Sequence, residues 1–506
     1  MKNHQVCTKV RRPARDGNKT MAMNAYKIQG FRGGIADDPL QGVREAFRFG
    51  YGLNIRGEEN TLKCNQALKI DLGNEVITDL ILFFVPASNG QLYGFGDTGK
   101  VYRKATPTSA WEHVYTDANG KISGAAEYTN NNGSDTYVPY LYWFTETNAS
   151  RILLSKADEN NWATDVEHNW QALNGDPSWH TAAEALGVLL VCDAQNLAMI
   201  DYEGGFNLEA LDVPKGHRHK ALLGQDQLVL IGSHKGDSVE QGWLWTWDKI
   251  QPSWIQRRMV AEKGVNAMLQ GEFLTIQAGI RGALYFWDTA TLMRIKKFPG
   301  EFGWVNPGAV CNMGGLPLYG LNGSDKCGVY SYGRVTKNDP YALNLEYVPS
   351  HGKLSNVSIG AITMYGDKPY VSTKDGAEYG VETIDENNKA EGRFEGLVFD
   401  GGENFTQKGF RHIKLVTKAL PADCSVEIFY RINQEDEWHI ATMQDGAEAF
   451  DKVGQTKAIF TIETGGDEDS PGEGEEYELA MNLHPAGNLT PEVVSATTYF
   501  EPLGIL

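Results

Sequence analysis

The chain has 506 residues, of which 41% are hydrophobic and 22% charged, with a formal net charge of −19. That balance excludes a disordered chain and allows a sizeable core, while the acidic excess disfavours nucleic acid except at a local basic patch. Glycine is abundant at 56, proline modest at 19, and 22 Tyr, 20 Phe and 12 Trp suit many short strands joined by tight turns. The expected fold class is therefore all-β. No apolar run approaches the ~18 residues of a membrane span, and Met1-Lys2-Asn3-His4-Gln5-Val6-Cys7 lacks the apolar stretch of a secretory signal. No membrane insertion is expected, and the chain should be made, and stay, in the cytoplasm of its producing cell. Six scattered cysteines, Cys7, Cys64, Cys192, Cys311, Cys327 and Cys424, form no CxxC pair and read as buried thiols.

Residues 1–20 are basic, with Lys2, Lys9, Arg11, Arg12, Arg15 and Lys19 against Asp16. They read as a flexible start, or as an upstream start codon with Met21 or Met23 as the natural one, ahead of a nucleic-acid-binding arm. A leading segment follows at 21–75. Phe47, Phe49, Tyr51, Leu53 and Ile55 alternate there with period two, predicting a strand with one buried face, in a segment that can close a ring.

From 76 to 400 a block of roughly 40 to 50 residues recurs. In the first copy, Ile81 to Val85, a turn at Asn89-Gly90, Leu92 to Gly96, a turn at Asp97-Thr98-Gly99, Val101 to Arg103 and Trp111 to Tyr115 make a four-stranded meander. Copies at about 76–118, 119–173, 178–214, 217–260, 264–299, 303–348 and 354–399 predict a β-propeller of about seven blades. Trp247-Asp248 and Trp287-Asp288 read as blade-packing pairs, since the Gly-His partner of WD40 repeats is missing.

Residues 401–506 change texture. Runs such as Phe410 to Val416, Ser425 to Ile432, Ala458 to Ile462, Tyr477 to Leu483 and Val493 to Phe500 predict six or more antiparallel strands, hence a C-terminal, jelly-roll-like β-sandwich. With 7 Lys+Arg against 19 Asp+Glu, this fifth of the chain holds most of the negative excess. The acidic run Gly465 to Glu476 reads as a solvated loop; a calcium-binding turn is the sharper alternative, although EF-hand spacing is missing.

Catalytic signatures are scarce. No GxSxG elbow, Walker loop, HExxH helix or GxGxxG leading from a strand into a helix occurs. Gly94 to Gly99 reads as a hairpin turn rather than a phosphate loop, and Ser372-Thr373-Lys374-Asp375-Gly376 only approximates a sialidase repeat. His217 and His219 share a strand face without further ligands nearby, so surface or turn histidines are favoured over a metal site. The expectation is no enzyme, no metal and no cofactor, although propellers can carry glycoside-hydrolase carboxylates at the channel mouth. Trp243, Trp245 and Trp247 alternate onto one face, with Trp254 close by; they are possible ligand-facing aromatics, with inter-blade packing as the simpler reading.

Gly33 to Pro39, Gly52 to Arg56, Leu62 to Leu68 and Leu92 to Arg103 resemble the start of virion structural proteins of tailed bacteriophages. The resemblance covers about the first 120 residues and, more loosely, the C-terminal part. It implies a propeller-bearing tail or nozzle-like component located in the virion and made in the host cytoplasm. Other tail proteins would be its partners, in a cyclic homo-oligomer, with DNA only as a passing genome that does not adhere. A carbohydrate- or receptor-binding propeller module and an intracellular propeller scaffold are the alternatives.

Overall fold

The computed structural model describes residues 23–131, 136–175, 179–225, 227–236, 241–288, 290–350, 354–402, 405–462 and 472–505. The basic opening, and most of the acidic run from 465, lie outside them. The described chain forms two compact units. One comprises 69–330 and 349–384; the other takes in residues up to 68, 331–348 and 385–506.

In the first unit, apolar runs separated by glycine-bearing turns pair into antiparallel meanders. Ile81–Pro86, Leu92–Gly96, Lys100–Lys104 and Trp111–Thr116 form the first four-stranded sheet. Its second turn needs a glycine twice over: Gly99 has φ 94, and a Cβ there would lie 2.5 Å from the Asp117 carbonyl oxygen. Four more sheets follow over 124–172, 182–212, 217–260 and 265–297. A sixth begins with Gly303–Met313 and Leu316–Gly323 and a seventh with Val357–Tyr365, Lys368–Asp375 and Glu378–Lys389. The first strands of these seven sheets touch in succession, and Val357–Tyr365 returns to Ile81–Pro86. The unit is thus a closed β-propeller of seven blades, as the recurrence predicts.

The seventh blade is completed from the leading segment, at a different place from the one the alternation suggested. Gln66–Ile70 is the outer strand there, and the Asp71 N–H donates to the Val381 carbonyl at 2.9 Å. The expected long strand around Phe47 to Ile55 is instead three short ones, Ala46–Phe47, Phe49–Tyr51 and Leu53–Asn54, broken at Gly52 with φ 64. Phe47, Phe49, Leu53 and Ile55 are nevertheless buried.

Successive blades are clasped by the same device. A polar side chain on the second strand of one blade accepts from a backbone N–H on the first strand of the next. Gln277 takes Val305 N–H at 3.1 Å, Asn322 takes Ile359 N–H at 2.6 Å, and Ser372 takes Ile81 N–H at 2.9 Å. The last of these joins blade seven to blade one. Close approach is also built in: a Cβ on Gly308 would collide with the Leu82 carbonyl oxygen, and one on Gly360 with that of Ile81. Between blades one and two, the short helices Leu154–Asp158 and Trp162–Asp165, which strand patterning does not predict, set Trp162 against Tyr93, Tyr115 and Trp143.

The second unit holds two main sheets. In one the order is Asn24–Gln29, Val493–Ile505, Thr406–Thr417, Lys457–Thr461 and Thr442–Met443. In the other, Phe49–Tyr51, Gly392–Glu395, Tyr477–His484 and Ser425–Ile432 lie side by side. Phe410 of the first stacks on Tyr477 of the second, with ring centroids 4.8 Å apart. Residues 401–506 therefore do not make these sheets alone; segments from the leading part and from 385–400 share them, so a cut at 400 does not separate the units. The end of the acidic run is also not all loop, because Gly472–Gly474 pairs with Thr406–Thr417.

Candidate functional site

The aromatic trio of blade four is settled by burial. Trp243, Trp245 and Trp247 lie on Gly242–Trp247, and Trp245 and Trp247 are buried among Val188, Leu190 and Leu211 of blade three. Trp245 Nε1 donates to Ser233 Oγ at 2.8 Å, and Trp247 Nε1 to the Gln251 carbonyl at 2.8 Å. Trp243 is half-buried, stacked on Trp245 at 5.9 Å and covered by the Arg257 guanidinium at 5.5 Å. The trio is inter-blade packing, so its ligand-facing role is withdrawn: two of the three rings reach no solvent.

His217 and His219 are also interior, not surface or turn residues. The His217 ring meets Trp243 and Trp245 edge-on, and burial holds its imidazole below the ordinary value. His219 is fully buried, and loss of solvation pushes its pKa down to about 3, so both are neutral. Among the described residues no His, Cys, Asp and Glu group could hold a metal ion. The two Trp-Asp pairs divide their labour: Trp247 and Trp287 are buried, while Asp248 and Asp288 each accept two backbone N–H groups in the following turn.

A Ser-His-Asp chain exists that the sequence does not advertise. Ser123 Oγ lies 2.8 Å from His180 Nδ1, and His180 Nε2 lies 3.6 Å from Asp193 Oδ1. All three are buried, the histidine and aspartate at 0% exposure. A nucleophile must meet its substrate, so this chain is a brace between blades. Asp117 plays a parallel part, accepting from Trp143 Nε1 at 2.7 Å with His168 Nε2 at 3.2 Å.

A cluster of charged and polar side chains gathers at one end of the propeller. In a four-stranded meander the entry to the first strand, the second turn and the exit from the fourth share one end. Asp79 precedes the first strand of blade one, Asp97 sits in its second turn, Lys121 follows its fourth strand, Trp179 precedes blade three, and Lys220 lies on the first strand of blade four. Asp79 is fully buried, and its Oδ2 accepts from Thr98 N and Oγ1, both at 2.9 Å. Burial first, then the Asp97 carboxyl beside it, raises Asp79 to about 7.

Beside this pair, Lys121 and Lys220 converge on one indole. Lys121 Nζ is 4.5 Å and Lys220 Nζ 5.7 Å from the Trp179 ring centre. Lys220 Nζ donates to Asn266 Oδ1 at 2.7 Å; Asn266 in turn donates to Gln277, the acceptor of the blade five to six clasp. Burial, then the Lys121 charge, lowers Lys220 to about 8. Nothing in the sequence signals this meeting, since it depends on ring closure bringing three separate stretches together.

At the opposite end, Tyr137 and Tyr202 stack at 6.3 Å, with 51% and 55% exposure. Glu203 accepts from Tyr137 OH and from Asn131 Nδ2, both at 3.0 Å.

Sheet order and inner-strand contacts define the class: a seven-bladed β-propeller protein with a second all-β unit. No protein-family model and no curated protein matches the chain. Solved structures similar to it include the computationally designed protein Ika8, at 12% identity and TM-score 0.39, covering 63% of this chain and 99% of that one. Another is the WD40 β-propeller domain of Doa1, at 12% identity and TM-score 0.42, covering 64% of this chain and 97% of that one.

Proposed function

We propose that the protein is a non-enzymatic structural component of a tailed-phage virion, in the tail or a nozzle-like tail tip. The observation that carries this reading is internal bracing. Blade-to-blade clasps at Gln277, Asn322 and Ser372, and buried polar chains at Ser123, His180 and Asp193, give a stiff closed ring. Such a ring suits a part that must bear load and resist proteolysis. The likeness of the leading segment to phage virion proteins supplies the setting. Partners would then be other tail proteins, met through copies of one heterologous interface around an axis. A charge of −19 would let a passing genome slide without adhering. Disrupting the gene in the producing culture should yield particles with absent or defective tails; normal, infective particles would reject the assignment.

A second reading, a carbohydrate-binding propeller, is favoured by one feature. Tyr137 and Tyr202 offer an exposed aromatic pair flanked by Glu203 and Asn131, the combination of ring face and hydrogen-bonding groups that suits a sugar. Glycan-array binding that Tyr202→Ala abolishes would support it; an array with no signal would dismiss it.

A further inference from the structure

We propose that Lys121, Lys220 and Trp179 form a binding site for a small dianionic oxyanion, of the phosphate-monoester type, at the end of the propeller where blades one to four converge.

Two ammonium groups beside one indole repel each other, an arrangement that is unfavourable unless an anion joins them. Lys121 is exposed, and among the described residues it makes no hydrogen bond or ion pair; its contacts are the Trp179 face and the field of Asp97. Lys220 has the neutral Asn266 Oδ1 as its hydrogen-bond acceptor, so one carbonyl oxygen meets its charge. Each ammonium therefore keeps donor capacity of its own. The Trp179 ring that both heads contact limits their motion, which reduces the side-chain entropy lost when an anion bridges them.

Charge count selects the ligand. Lys121 and Lys220 bring two positive charges to the Trp179 ring, and among the described residues Asp97 is the carboxylate whose field acts on Lys121. A dianion matches the Lys121 and Lys220 pair, whereas a monocarboxylate leaves one ammonium uncompensated. A nucleic-acid backbone fits poorly: it needs a track of cations, and the chain as a whole is at −19.

The test is calorimetric titration of the full chain with inorganic phosphate at pH 7 and low ionic strength, with acetate as the monoanion comparison. Saturable phosphate binding is expected, at least about tenfold tighter than acetate. Lys121→Ala should weaken it by about tenfold or more, or roughly 1.4 kcal/mol, with an unchanged thermal unfolding midpoint because Lys121 is exposed. Lys220→Met should weaken phosphate binding likewise, and Lys121→Arg should retain binding. Phosphate no tighter than acetate, or binding undisturbed in Lys121→Ala, would overturn the proposal.

Discussion

Two buried residues give tests of the chemistry just described. Asp79 has a folded value of about 7 against the ordinary 3.8, so between those pH values the folded state holds more protons than the unfolded one. Its contribution to stability is present at pH 4 and declines as pH rises through 7, then levels off. Asp79→Asn preserves a donor for Asp97 and an acceptor for Thr98 without the charge. It should therefore match or exceed the parent in urea melts at pH 8 and show a shallower fall between pH 5 and pH 8; an unaltered slope would contradict the raised Asp79 value. Trp245 tests the packing reading. Trp245→Ala should lower unfolding free energy by about 3–5 kcal/mol, because a large ring leaves a cavity between blades three and four. The Trp243, Trp245 and Trp247 alternation was legible in the sequence, but not which way the shared face points, since both faces of a blade are buried by neighbouring blades.

At the scale of elements, the clasp between blades seven and one is the most informative. Ser372→Ala strands the buried Ile81 N–H, and should cost about 1–3 kcal/mol in a denaturant titration. Gly360→Ala should cost more, because its Cβ collides with the Ile81 carbonyl oxygen on the same inner strand. A Gly360→Ala variant as stable as the parent would mean that the inner strands are not so closely apposed. The blades themselves were readable, since strand runs and turn residues recur with a fixed spacing; first strands observed at 124–131, 182–185, 217–224, 265–270 and 303–313 fall within the expected copies. The closing strand was harder. Gln66–Ile70 carries no strong alternation, with Gln66, Lys69 and Ile70 outside the buried set, so its place was set by pairing with Glu378–Lys389 rather than by local pattern. The two helices before Glu167 were equally silent: nine residues of helix, capped by no side-chain hydrogen bond, are held by Leu154, Ala157 and Trp162 burying into blade packing.

For the whole molecule, the sequence carried the all-β class and the propeller but not the composition of the second unit, whose sheets draw on strands from both ends of the chain. Asn24–Gln29 pairs with Val493–Ile505, a contact between residues more than 460 positions apart that no local pattern encodes. The site at Lys121, Lys220 and Trp179 was illegible for the same reason: its members come from three connectors or strand starts that only a closed ring assembles. The role proposed for this ring, a structural part of a tailed-phage particle, makes its own demand, that the chain be present in particles at constant proportion. Density-gradient fractions of a lysate from the producing culture, analysed by peptide mass spectrometry, measure this directly. The account predicts that peptides of this chain band with particles at a fixed ratio to the other tail components. Peptides confined to the soluble fraction would contradict it and leave the propeller as a binding or scaffold protein.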